Sequence, residues 1–306
     1  MKILITGGSG FLGRNLALEL SKNLKNKIHI FDKKKFKFSK KNIFFHKCNL
    51  NKIISIKNKK KDYDYIFHMA AELGVKNIIN NPIESLDTNY KSTRNIILFA
   101  RENKKLKRLF FFSTSEVYSR LNKNGKMNEK DDLELPNINH PRTSYWFAKI
   151  IGEFLILHSK VPYTIFRIFN VYGSYTKATH VIPSIFEKLK NDKKKSVFEN
   201  PNHSRAFIFI NDIVKIFVLS MHKRFKNQIL NIGNPSEPIN IRSLVKKISL
   251  IINKKKKYSF KDIKNQSIKK RIPDIKKLEQ IARKKIKFTK LEYGLNRIYE
   301  KNKNWS

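Results

Sequence analysis

A single cysteine, Cys48, stands in the 306-residue chain, which excludes an intrachain disulfide and fits a reducing compartment. No apolar run approaches the roughly 18–20 residues that a membrane-spanning helix needs. The N-terminal MKILITGGSG turns glycine-rich after a short apolar piece, so it reads as a first strand and not as a secretory leader. There is no Cys/His cluster, and the 8 histidines lack metal-ligand spacing, so no metal is expected. Internal repeats and flexible linkers are absent as well. These absences point to a cytoplasmic, globular protein.

Acidic residues are also scarce: 24 Asp+Glu face 66 Lys+Arg, for a net charge of +42. A surplus of that size raises the question of nucleic-acid or anionic-surface binding. Its character argues against a specific role. The excess is mostly lysine, whereas phosphate and base recognition favours arginine. It is spread over the whole chain, and asparagine and isoleucine rise with it. The charge therefore reads as surface composition, with neither a specific nucleic acid nor a membrane as partner. A hydrophobic content of 40% supplies a substantial core.

Apolar runs and amphipathic stretches alternate along the first half. Lys2 to Thr6, Ile28 to Asp32, Asn42 to Leu50, Tyr63 to Ala71, Leu109 to Ser113 and Tyr163 to Phe169 read as strands. Helical patterns follow the first, run from Pro82 to about Asn103, and recur from Ser144 to His158. Strands alternating with helices, each strand apolar throughout, predict an α/β fold with a doubly wound parallel sheet covered on both faces. Beyond Tyr172 the pattern loosens. Helices are expected near Pro183 to Lys190 and from Asp212 and Ile241, strands at Ala206 to Ile210 and Leu230 to Gly233, and Asp274 could cap a short helix. The lysine runs at 33–35, 59–61, 193–195 and 254–257 fall where loops are expected.

Gly7, Gly10 and Gly13 form GxxGxxG between the first strand and the first helix. Glycines there allow a tight turn and a close backbone approach to a pyrophosphate at the helix N-terminus. Asp32 ends the second strand nineteen residues past Gly13, where it can accept hydrogen bonds from ribose hydroxyls. That favours NAD, although Lys33 to Lys35 would tolerate the extra phosphate of NADP. Tyr145 and Lys149 in SYWFAK are four apart on a predicted helix and share a face. An ammonium beside a phenol favours the phenolate, so the Tyr145 pKa is expected to fall below its ordinary ~10. Between these regions, FFFSTSE (Phe110 to Glu116) runs a buried strand directly into hydroxyls and a carboxylate.

TGGSGFLG, Asp32, HMAA (His68 to Ala71), Asn89, STSEVY, SYWFAK, RIFNVYG, SRAFIFINDIV and NIGNP occur in an order that resembles the extended short-chain dehydrogenase/reductases. These are the nucleotide-sugar epimerases, dehydratases and decarboxylases, and the likeness spans nearly the whole chain. It implies a Rossmann domain over 1–171, with return segments at about 205–233, and a smaller C-terminal substrate-binding cap over 172–204 and 234–306. By the resemblance, NAD is held by Gly7, Gly10, Phe11, Leu12, Gly13, Asp32, Asn49, Leu50, Ala70, Ala71, Asn89 and Ser113, together with Tyr145 and Lys149. Thr114 would hydrogen-bond the reacting hydroxyl, Tyr145 act as base, and Lys149 hold the nicotinamide ribose. Ser115, Asn170 and Arg205 would contact a nucleoside-diphosphate sugar. Glu116 occupies a position that is acidic in 4,6-dehydratases and UDP-glucuronate decarboxylases. The helices at 82–103 and 144–158 would form a homodimer interface.

The reaction stays open at this level between dehydration or decarboxylation and simple 4-epimerisation. A non-catalytic NAD-binding or polyanion-binding protein is the alternative of another class, and the intact Thr114/Tyr145/Lys149 set argues against it. KRIPDIKK (Lys270 to Lys277) resembles decarboxylase tails but also epimerase ones. Asn49 stands where the family usually has Asp, Ser119 where it has Gly, and Ala206 where it has an acid. His68 reads as packing at a strand end.

Overall fold

Apolar strands separated by amphipathic helices bury both sheet faces only when the helices cross over them. The computed structural model has this arrangement. It describes residues 1–301 apart from 58, 60–61, 73, 119–125, 135–136, 177–178, 192–195, 254–256 and 264–267. Ser119, the lysine run at 193–195 and most of those at 59–61 and 254–257 lie outside the described residues.

Strands β1 (Lys2–Thr6), β2 (Lys27–Asp32), β3 (Ile43–Lys47), β4 (Tyr65–His68), β5 (Arg108–Thr114), β6 (Tyr163–Ile168) and β7 (Gln228–Ile232) form a 7-stranded sheet in the order β7-β6-β5-β4-β1-β2-β3. From β6 to β3 every pairing is parallel. Strand order reverses between β1 and β4, the doubly wound topology the sequence predicts. In such sheets ligands bind beyond the carboxyl ends of the strands at that reversal.

The phenylalanine run of β5 explains how the helix Thr143–Leu157 is seated. Successive side chains alternate faces. Phe110 stacks on Phe67 with centroids 4.3 Å apart, and Phe112 meets Phe166 and Phe217 on the same side. Phe111 faces the other way, toward the helices α2 (Pro82–Arg101) and α3 (Thr143–Leu157). Gly152 of α3 lies directly over it: a Cβ there would stand 2.4 Å from the tip of the Phe111 ring. The absent side chain lets α3 settle close to the strand end. Pro82 opens α2 at its first turn, as read from the sequence.

Two strands are shorter than their apolar runs. After β3 the chain folds into a turn in which the Asn49 side chain accepts from the Asn51 N–H. After β4 the Ala70 N–H is taken by the Thr6 hydroxyl, which ends the ladder.

The chain forms two compact units, the first comprising 1–119, 130–168 and 214–230, the second 120–129, 169–213 and 231–306. These bounds differ from the segments expected for the Rossmann part at 120–129, 169–171, 205–213 and 231–233. The second unit has a 4-stranded sheet of Ile239–Asn240, Ser204–Arg205, Lys270–Pro273 and Lys126–Met127. Its helices are Val181–Lys190, Ile241–Ile252, Lys276–Ala282 and Leu291–Lys301, with parallel strand pairs Asn170–Tyr172 with Phe207–Phe209 and Ser196–Glu199 with Tyr258–Lys261. Asp274 is not the cap of the helix Lys276–Ala282, whose N-cap is Ile275; it precedes that residue, and its Oδ1 accepts from the Lys276 N–H at 2.9 Å. Among the described residues no helix is long and apolar enough to cross a membrane.

Candidate active site

The glycine turn is as tight as a backbone permits. Gly7 has φ +68°, and its carbonyl accepts from the Gly10 N–H at 3.0 Å. A Cβ on Gly13 would lie 2.4 Å from that carbonyl oxygen, and one on Gly7 would lie 2.7 Å from the Ala70 nitrogen. The following helix α1 (Phe11–Ser21) has no side-chain cap and no acid in its first turn. Its leading N–H groups and positive dipole end suit a pyrophosphate. Asp32 is pinned beside this turn. Its Oδ2 accepts from the Ser9 N–H at 3.0 Å and its Oδ1 from the Lys34 N–H at 2.9 Å. A carboxylate retains further acceptor sites for ribose hydroxyls. Lys33 to Lys35 are exposed in the bend that follows.

Asn89 and Leu50 act here through the backbone. The Asn89 amide accepts from the Glu72 N–H at 2.7 Å and donates to the Glu72 carbonyl at 3.3 Å, which fixes the segment after Ala70 and Ala71. The Leu50 carbonyl is held by Asn95. His68 is fully buried between the Thr6 and Thr93 hydroxyls, at 2.8 and 3.2 Å. Burial, with Lys149 nearby, pushes its pKa down to about 3, so it is a neutral packing group.

β5 delivers Thr114 to the sheet rim, and a short helical turn (Ser115–Val117) carries Ser115 and Glu116 just beyond. The Thr114 hydroxyl accepts from the Glu116 N–H at 3.2 Å and shares a hydrogen bond with Tyr145. Burial pushes the Tyr145 phenol well above its ordinary range. The Glu116 charge adds to the rise, while the Thr114 hydrogen bond and Arg142 oppose it. This is opposite to the fall expected from Lys149. The reason is geometric. The Lys149 ammonium lies 5.9 Å from the Tyr145 ring centroid and donates to the Phe112 carbonyl at 2.6 Å. Burial lowers the Lys149 pKa to about 8, with Glu153 holding it up.

Two features of this lip have no signature in the motif pattern. First, Glu116 is engaged on both oxygens: Arg142 Nη2 donates to Oε1 at 2.8 Å, and the Trp146 indole N–H donates to Oε2. Second, a buried ion pair lies behind Lys149. Glu153 accepts from Arg167 Nη2 at 2.8 Å and from the Ser113 hydroxyl at 2.5 Å. The Arg167 guanidinium sits 4.9 Å from the Tyr118 ring centroid and also hydrogen-bonds that phenol. An acid one turn beyond Lys149 in an otherwise apolar helix segment, IIGEFLIL, was the available clue.

Asn170 and Arg205 belong to the second unit. Arg205 Nη1 donates to the carbonyls of Ser204 at 2.7 Å and Lys269 at 3.2 Å. Arg271 stands opposite Arg205 in parallel register, a second guanidinium on the same sheet face that motif reading did not single out. Among the described residues no group of three or more His, Cys, Asp or Glu could hold a metal.

Residues 3–233 match the NAD dependent epimerase/dehydratase family. Over 307 aligned positions it is 31% identical to the UDP-N-acetyl-alpha-D-glucosaminuronate decarboxylase of Bacillus cytotoxicus, covering 92% of this chain and 91% of that protein. It is 30% identical over 275 positions to the dTDP-D-glucose 4,6-dehydratase of Dictyostelium discoideum, covering 82% of this chain and 62% of that protein. Among solved structures, the UDP-glucose 4-epimerase of Thermotoga maritima superposes with a TM-score of 0.86 at 23% identity over 98% of both chains. The dTDP-glucose 4,6-dehydratase of Bacillus anthracis, solved with NAD, gives 0.84 at 23% identity over 100% of this chain and 98% of that one. The chain belongs to the NAD dependent epimerase/dehydratase family.

Proposed function

We propose that the chain removes the C6 carboxylate of a nucleoside-diphosphate uronic sugar through transient oxidation at C4. The condition of Glu116 carries this choice within the family. With Arg142 on one oxygen and Trp146 on the other, that carboxylate is placed as a brace. Dehydration needs a base to take the C5 proton. Decarboxylation needs none, because a C4 ketone makes the C6 carboxylate a β-keto acid.

In this reading the Gly7–Gly13 turn holds the NAD pyrophosphate and Asp32 the adenosine ribose. Phe11, Leu12, Asn49, Leu50, Ala70, Ala71, Asn89 and Ser113 line the rest, and Lys149 takes the nicotinamide ribose. When bound, NAD supplies a reversible hydride acceptor beside C4. Tyr145 Oη takes the proton of the C4 hydroxyl and later returns it. Burial raises this phenol, and the Thr114 hydrogen bond and the Arg142 cation favour its ionised form against that rise. As the C5–C6 bond breaks and carbon dioxide leaves, the electron pair passes through C5 to the C4 oxygen. Thr114 and Tyr145 stabilise the charge that gathers there. The resulting enolate then takes a proton at C5 from water. Ser115 borders the sugar, while Asn170 and Arg205, with Arg271 alongside, serve the diphosphate.

Mass spectrometry of UDP-, GDP- and dTDP-hexoses and UDP-uronates incubated with the protein and NAD tests this. A product lighter by one carbon dioxide is expected, and Glu116→Gln should still release it. A product lighter by water would make Glu116 the base of a dehydratase, and an unchanged mass with a new chromatographic peak would mean an epimerase.

A homodimer through α2 and α3 is part of the same proposal. Ile83 and Phe154 are 77% and 59% exposed, and Tyr90 and Leu157 are exposed with them. Such apolar surface on two adjacent helices suits a second copy. Light scattering should report a dimer that Phe154→Glu converts to monomer. A monomeric parent protein would overturn it.

A further inference from the structure

Glu116 also raises a question about its partner: a carboxylate already rests against Arg142, one helical turn from the tyrosine that serves C4. We infer that Arg142 is the side chain that recognises the substrate's C6 carboxylate, with Glu116 as its resident counter-ion. The inference rests on the uronate reading above and assigns the residue that would read it.

Three observations carry it. Of the cations flanking the lip, Arg167 is 5% exposed and committed to Glu153, and Lys149 is buried against the Phe112 carbonyl. Arg142 keeps 30% of its side chain exposed, which among the described residues of the lip puts it at the rim. Its guanidinium is also held in place, 5.6 Å from the Trp146 ring centroid, while Trp146 itself donates to Glu116. A cation–π contact with the indole and the bond to Glu116 together restrain the fork that a carboxylate reads. Finally, its position matches the substrate's geometry. Arg142 precedes Tyr145 by one turn of the chain, with the Tyr145 N–H bonded to the Arg142 carbonyl at 3.2 Å. C6 is two bonds from C4, so its carboxylate lies within a few ångströms of the oxygen that Tyr145 serves.

The resident Glu116 suits this role chemically. A lone guanidinium would stabilise the carboxylate ground state and oppose its loss as carbon dioxide. Paired with Glu116, Arg142 is close to neutral as a unit. It can orient the carboxylate by hydrogen bonding, since a guanidinium carries five N–H donors, without trapping it by charge.

The test measures affinity in the full chain saturated with NAD, on a Tyr145→Phe background so that ligand is not consumed. Two ligand pairs differ only at C6: UDP-glucuronate with UDP-glucose, and UDP-N-acetylglucosaminuronate with UDP-N-acetylglucosamine. The background protein should prefer the uronate of at least one pair. Arg142→Gln should reduce that preference by roughly ten- to a hundredfold without weakening the neutral ligand, as expected for losing a charge-assisted hydrogen bond. Arg142→Lys should restore part of it. Glu116→Gln should tighten the uronate several-fold, because it frees the charge of Arg142. The opposite signs of these two effects distinguish recognition from a loss of folding. An undiminished preference in Arg142→Gln, or uronate affinity that fails to rise in Glu116→Gln, overturns the assignment while leaving the decarboxylase reading intact. Absence of any preference in the background protein overturns both.

Discussion

Tyr145→Phe is expected to cut turnover by about 10²–10⁴-fold while NAD still binds. The substitution removes one oxygen and keeps the ring, so the packing of α3 on β5 is undisturbed. What disappears is the atom that moves the C4 proton and half of the hydrogen-bonded pair with Thr114. Thr114 remains anchored by the Glu116 N–H, so the oxygen-binding side of the lip persists. The loss should therefore fall on kcat more than on KM. Steady-state rates, with NAD affinity measured separately by intrinsic fluorescence quenching, check both halves of the statement. Turnover within a fewfold of the parent would remove Tyr145 from the proton path.

Much of this arrangement was legible before any coordinates. The strands of the first unit are short, apolar on both faces and bounded by polar turns, which is the pattern a buried parallel sheet requires. Gly7, Gly10 and Gly13 announce the turn because no other residue fits where a Cβ would meet the Gly7 carbonyl oxygen or the Ala70 nitrogen. Tyr145 and Lys149 share a helix face by spacing alone.

Contacts across long sequence separations were not legible. Arg142 meets Glu116 from 26 residues away, and Arg167 meets Glu153 from another element. The upward shift of Tyr145 is of the same kind, since burial and the Glu116 charge outweigh the Thr114 hydrogen bond and Arg142. The helix Leu291–Lys301 was missed for a local reason. Gly294 interrupts LEYGLNRIYEK and lowers its helical propensity, but a Cβ there would stand 2.2 Å from the Tyr172 hydroxyl. Packing, not propensity, decided that residue.

Glu153→Ala is expected to destabilise the protein by about 3–5 kcal/mol, the usual cost of stranding one member of a buried ion pair. Glu153 and Arg167 side chains are 3% and 5% exposed, so water cannot replace the lost partner. Ser113 loses its acceptor in the same substitution. A double variant, Glu153→Leu with Arg167→Met, removes both charges and should recover most of the loss. Urea unfolding of the first unit, followed by amide exchange of β5 and β6, measures these differences.

Glu153 also acts on chemistry through Lys149, and a pH profile separates that from bracing. Burial alone lowers the Lys149 ammonium and Glu153 holds it up, to about 8. A lysine required as a cation is active below its pKa and fails as pH rises through it. Glu153→Gln keeps an acceptor for Ser113 but removes the charge, so Lys149 should lose its proton at lower pH. The alkaline limb of kcat should then move below that of the parent. The double variant, restored in stability, should show the same displaced limb. If the limb stays in place in both, Glu153 only braces the lip and the charge of Lys149 is set elsewhere.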